Sequence, residues 1–196
     1  MKQFFKDNSY TIVRLMVFQL GADILGLITA FATGSMSAAW VFPFSSVFCV
    51  CFYLFVIATV CYENGQKDAY RIDAGKIQKQ PYKYFLIAFL ANVPNLLLAL
   101  IAFVCRLILD LPMSGQIDES YASSFLANLQ EVCVTIARFL QAMYLGIVQS
   151  ISDRSVILLL IIPIPAIVTA GVSYLVGIRF KDGFKQAKAN KTDRYS

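Results

Sequence analysis

Four stretches of the chain, about 15–32, 38–62, 84–104 and 156–178, are apolar over a length that matches the hydrocarbon core of a bilayer. Crossing that core takes about 20 helical residues. A soluble helix of this length would carry a polar face opposite an apolar stripe, and none of these four does. The whole chain is 58% hydrophobic and only 15% charged, with a mean hydropathy of +0.65. A soluble domain is nearer half apolar and a quarter charged, so the excess calls for surface that faces lipid. The expected fold class is all-α: a polytopic transmembrane helical bundle in one domain covering 1–196. Four spans are expected and five are possible, with an amphipathic helix between the third and the last.

That extra helix, about Ser120 to Ile151, decides the count. Tyr121, Phe125, Leu129, Val132, Cys133, Ile136, Leu140, Met143, Tyr144, Ile147, Val148 and Ile151 recur at spacings of three and four. Glu131, Thr135, Arg138, Gln141, Gln149 and Ser152 fall largely on the other side. Such a helix lies in the interface, re-enters, or crosses with its polar stripe turned inward. Charge favours the first two. Basic residues gather at the start (Lys2, Lys6, Arg14), in the middle (Lys67, Arg71, Lys76, Lys79, Lys83) and in the tail at 179–196 (Arg179, Lys181, Lys185, Lys188, Lys191, Arg194). Four spans put all three groups on the cytoplasmic side, as the positive-inside rule requires, with both termini there in the cell membrane. A fifth would carry the tail across and leave Arg138 near mid-bilayer, at about 2.5–3.5 kcal/mol unless sheltered. The basic tail is expected to be mobile, and Met1 to Asn8 to precede a retained first span rather than a cleaved signal.

Polar residues inside the spans are the candidate site. Asp23 lies in the first, one turn after Gln19 and between Gly21 and Gly26. An ionisable group at that depth needs a partner or water, which makes it a functional candidate; the alternative is a hydrogen bond that ties helices together. Its candidate partners are Asn92, Asn95 and Arg138. Pro94, between the asparagines, and Pro163 with Pro165 mark helices expected to be broken or kinked, because proline removes an amide donor and frees backbone carbonyls. In transporters such breaks line substrate sites, although proline is also common in ordinary membrane helices.

Between the second and third spans, Glu63 to Lys83 reads as a polar cytoplasmic loop. Glu63, Gly65, Asp68 and Arg71 form its candidate docking surface, with Gly65 placed to cap the second helix and Asp68 placed to pair with Arg71 three residues on. Anionic lipid headgroups could meet this basic segment, and a solvated loop set only by topology is the plainer account. Tyr62-Glu-Asn-Gly65 and Tyr174-Leu-Val-Gly177 share a Tyr-x-x-Gly step ahead of a charged segment. A match so short arises readily by chance.

The remaining chemistry is sparse. Cys49, Cys51, Cys61, Cys105 and Cys133 all sit in or beside apolar helices, where cysteine packs as a small apolar side chain; neither a disulfide framework nor a metal site is expected. The chain has no histidine, which removes the commonest general base, and it carries no nucleophile elbow, zinc-protease, Walker or dinucleotide motif. No enzyme activity and no cofactor are expected. The net charge of +5 follows from topology, so nucleic acid is not an expected partner. The expected partners are the bilayer, anionic lipid headgroups, and another membrane protein or a second copy. The expected function is a non-enzymatic membrane component: a subunit, scaffold or assembly partner. The alternative is a small transporter or channel-like protein built on Asp23 and the proline-bearing helices.

Overall fold

A computed structural model describes residues 2–33, 40–110, 119–151 and 156–192. Every regular element in it is helical: α1 Lys2–Thr33, α2 Val41–Asp73, α3 Lys83–Asp110, α4 Glu119–Phe139, a 3₁₀ turn Ala142–Tyr144, α5 Leu145–Ile151, α6 Val156–Ile161 and α7 Pro163–Thr192. The first residues of the expected second span, 38 and 39, and the last four of the basic tail, 193–196, fall outside the described residues.

Four helices are long and apolar enough to cross a membrane: Phe4–Thr33, Val41–Asp73, Lys83–Leu109 and Val156–Phe180. Their packing turns a soluble helix inside out. On α1 the buried stripe is Asn8, Ile12, Leu15, Gln19, Ala22 and Asp23, whereas Val13, Val17, Leu20, Ile24, Ile28 and Phe31 face outward. Only 28% to 39% of the residues in each span's most apolar window are buried. Burial therefore draws polar side chains in beside Ile12 and Leu15 while many large aliphatic ones stay outside, which is stable only where the surroundings are hydrocarbon. The chain is a multi-pass membrane protein of the all-α class.

Two helix ends differ from the sequence reading, and the prolines disturb their helices less than expected. What reads as a loop from Glu63 is the continuation of α2, which runs to Asp73. Gly65 is not a cap; the helix ends at Gly75, with φ of 67°, where Gly75 N–H donates to Ile72 C=O and Lys76 N–H to Arg71 C=O, both at 3.0 Å. That pair of bonds is a Schellman closure, which needs the left-handed conformation glycine adopts without penalty. At the other end of the chain, α7 continues through the basic segment to Thr192. Pro94 lies exposed in an unbroken α3. Pro163 follows a one-residue interruption at Ile162, whose N–H still donates to Leu158 C=O at 3.0 Å, and Val156–Phe180 runs as one span.

The chain divides into two compact units, Met1–Leu15 with Tyr53–Ala91 and Pro165–Ser196, and Met16–Phe52 with Asn92–Ile164. In the first, the two Tyr-x-x-Gly steps meet. A Cβ on Gly65 would strike the Tyr174 carbonyl oxygen, and a Cβ on Gly177 would strike that of Tyr62. Each such Cβ would also lie 3.1 Å from the other glycine's Cα. The contacts are reciprocal, so α2 and α7 cross here backbone to backbone. Close crossings of this kind replace the hydrophobic drive that lipid cannot supply. In the second unit, Ala99 and Ala102 of α3, Cys133 and Ala137 of α4, and Val156 and Leu159 of α6 form a buried apolar cluster.

Gly65→Ala and Gly177→Ala should each destabilise the detergent-solubilised protein by roughly 1–3 kcal/mol, because a carbonyl cannot yield as a side chain would. Gly21 has nothing within 4 Å of its Cβ position, and Gly21→Ala should be neutral or slightly stabilising. Thermal unfolding measures all three; a Gly65→Ala protein as stable as wild type would refute the close crossing.

Candidate functional site

Two buried polar clusters stand out, one in each unit. The first surrounds an interruption of the amphipathic segment. After α4 the chain turns, and Ser124–Phe139 and Ala142–Ile151 meet at 83°. The segment thus forms no straight span. A bend of this size releases backbone donors at the start of the new helical turn, and hydrocarbon offers them no water. Neighbouring helices provide the acceptors. Met143 N–H donates to Asp23 Oδ1 at 3.4 Å, and the Ala142 N–H also faces that carboxyl. Gly146 N–H donates to Ser46 Oγ at 2.9 Å. Asp23 and Ser46 are therefore N-caps supplied from α1 and α2, and the carboxyl complements the positive end of the helical turn.

Glycine lets these backbones come so near. A Cβ on Gly26 would lie 2.5 Å from Met143 Cα, and one on Gly146 would lie 2.5 Å from the Ser46 hydroxyl oxygen. Across the break, Gln141 Nε2 donates to Leu159 C=O at 3.2 Å. Leu159 stands four residues before Pro163, so its carbonyl is the one that proline deprives of an amide partner. Gln141 replaces that donor.

Three buried oxygens in this region have no hydrogen-bond partner among the described residues: Asp23 Oδ2, Gln141 Oε1 and Tyr144 Oη. Gln19, Asn92 and Asn95 are buried as well, in the same unit. Arg138 is half-buried on α4, and the groups facing the Asp23 carboxyl are the Ala142 and Met143 amides in its place.

The second cluster is centred on Asp68, whose side chain is 7% exposed. Lys83 Nζ donates to Asp68 Oδ2 at 2.9 Å, and Tyr174 Oη donates to the same oxygen at 3.0 Å. Arg71 Nη1 stands 3.7 Å from Oδ1. The Tyr174 ring stacks on Tyr84 with centroids 4.2 Å apart. One carboxyl thus joins α2, α3 and α7. Beside it lies a cleft of about 540 Å³, lined by Phe4, Asp7, Asn8, Asp68, Arg71, Ile77, Gln78, Gln80, Lys83 and Tyr174. Of the four residues assigned to a docking loop, Gly65 and Asp68 are buried and only Glu63 and Arg71 are exposed. The helical continuation of α2 turns the first two inward.

Gln141, Tyr144, Ser46, Lys83 and Tyr174 complete these clusters without having been singled out as site residues. A signal existed for one: a proline within a span orphans the carbonyl four residues earlier, and Gln141 is an amide on an adjacent amphipathic helix. For Ser46 and Tyr174 no local pattern exists, because their partners are 100 and 106 residues away in Ser46–Gly146 and Asp68–Tyr174; Lys83 meets Asp68 only because α2 continues as a helix past Glu63. Compared with known proteins, the chain matches no family model, no curated protein and no solved structure.

The Gln141–Leu159 bond yields a double-mutant cycle. Pro163→Ala returns an amide to Leu159 C=O, so Gln141→Leu should cost about 1 kcal/mol less in that background than in wild type. Unfolding free energies of the four proteins test this, and additive effects would show that Gln141 does not serve the orphaned carbonyl.

Proposed function

We propose that this protein is a non-enzymatic component of the cell membrane that associates with a partner membrane protein through α2. The observation that carries the reading is a ladder of exposed aromatics: Trp40, immediately before α2, and Phe44, Phe48 and Phe52 on it, all at least half exposed and spaced four residues apart. The Trp40 and Phe44 rings meet edge to face with centroids 6.2 Å apart. On the opposite side Ser46, Cys49 and Tyr53 are buried. A lipid-facing surface needs only aliphatic bulk, whereas aligned rings offer large, stiff contact area to another helix. The roles of Asp23 and Gln141 in closing the chain's own helix break support the same reading, since both are engaged by internal backbone. Orientation follows the basic residues: all but Arg106, Arg138 and Arg154 fall in the three segments assigned to the cytoplasm, with the bent α4–α5 segment re-entrant on the other side.

A photocrosslinking amino acid at Phe48, activated in native membranes, should give a discrete protein adduct, to another membrane protein or a second copy. The same group at Ile24, exposed on α1, should label lipid. Lipid adducts alone at Phe48 would overturn the reading.

One observation favours a second reading, a small transporter or channel-like protein. The unpartnered oxygens of Asp23, Gln141 and Tyr144 are the kind of lining that a passing cation or proton would use. Asp23→Asn separates the two. The amide oxygen still accepts from the Met143 amide, so stability should hold to within about 1 kcal/mol. A component keeps its cellular phenotype in this variant, and a transporter loses it.

A further inference from the structure

We propose that the cleft beside Asp68 binds a phosphate–ammonium zwitterion, the chemistry shared by an ethanolamine phospholipid headgroup and free glycerophosphoethanolamine. The inference rests on the first unit alone and is independent of the partner assigned to α2.

The cleft is placed and sized for such a group. Its lining comes from the ends of helices that outrun the hydrocarbon core: Phe4 lies near the start of α1, Asp68 and Arg71 in the last turns of α2, and Lys83 at the start of α3. Helices of 32 and 33 residues exceed the roughly 20 that the core requires, so these ends stand on its polar side, where headgroups and water-soluble ligands are both within reach. A volume of about 540 Å³ falls within the range of small-molecule sites.

Charge selects the class of ligand. Asp7 and Asp68 oppose Arg71 and Lys83 in the lining, so the four formal charges cancel. A plain anion would face two carboxylates and a plain cation would face two basic groups, whereas a zwitterion meets each sign with its opposite. The two pairs are not equally committed. Lys83 and Asp68 are bound to each other at 2.9 Å with both side chains largely buried, which fixes the floor of the cleft. Arg71 is held loosely, at 3.7 Å from Asp68 with its side chain 64% exposed. Asp7 is exposed and has no ion-pair partner among the described residues. The pair left to recognise a ligand is therefore one guanidinium and one carboxylate.

Their chemistry narrows the class further. The guanidinium fork matches two phosphate oxygens. The Asp7 carboxylate accepts N–H bonds, which a primary ammonium donates and a trimethylated choline cannot. Gln78 and Gln80 add amide donors and acceptors, while Phe4 and Ile77 provide an apolar edge for the glycerol end.

Native mass spectrometry of the full chain, delipidated in detergent, tests this by titration with phosphatidylethanolamine, phosphatidylcholine and phosphatidylglycerol. Phosphatidylethanolamine should bind about tenfold or more tighter than the other two, the effect of one charge-assisted hydrogen bond. Arg71→Gln and Asp7→Asn should each abolish that preference. Both residues are exposed, and unchanged thermal unfolding of the variants confirms an intact fold. Displacement of the bound lipid by millimolar glycerophosphoethanolamine assigns the soluble source, and retention of the lipid assigns the membrane source. Equal binding of the three lipids, or a preference for phosphatidylglycerol, overturns the proposal.

Discussion

A backbone amide in hydrocarbon must find an acceptor within the protein, and the second unit is arranged around that obligation at one place. The 83° bend between Ser124–Phe139 and Ala142–Ile151 would strand donors that a soluble protein could leave to water. Asp23 and Ser46 accept from Met143 and Gly146, and Gln141 serves the carbonyl that Pro163 leaves open. A membrane-embedded carboxyl, a hydroxyl, an amide and a proline, unrelated in sequence, thus answer one constraint. Gly26 and Gly146 belong to the same solution, since a side chain at either would hold the donors away from their acceptors.

The first unit solves a different problem with similar means. Water does not drive helices together inside a bilayer, so close backbone packing and internal polar bonds must do so. Gly65 and Gly177 allow α2 and α7 to touch, and Asp68 joins those helices to Lys83 of α3. A buried ion pair is weak evidence of stability by itself, because desolvation offsets much of the attraction. Its firmer consequence is specificity: removing either partner strands a charge, so the three helices are held in one register. The same pair leaves Arg71 and Asp7 at the rim with capacity to spare, and this separates the scaffold of the cleft from its recognition groups.

Much of the fold was legible in the residues. Runs of apolar side chains too long for a soluble helix announce spans, and the amphipathic period of 120–151 announced a segment of another kind. Helix ends were harder. Glu63 to Asp73 is polar enough to read as a loop, yet it is helical because Gly65, Asp68 and Ala69 continue the buried face that Ile57 and Cys61 began. Gly65 and Gly75 illustrate the ambiguity of a single residue type: one permits a close helix crossing, the other a left-handed closure. Nothing local tells the two apart.

The sequence by itself determined that the chain lives in a bilayer, which helices can span it and which polar residues must find partners there. These follow from local composition, because the cost of placing a side chain in hydrocarbon is a property of that side chain. Only the tertiary structure decided who the partners are. Asp23 meets the Met143 amide, Gln141 the Leu159 carbonyl, Asp68 the Lys83 ammonium and the Tyr174 hydroxyl, while the repeated Tyr-x-x-Gly step proves to be two halves of one crossing. Hydrogen bonds act over about 3 Å, and residues far apart in the chain come that near only once the helices have packed.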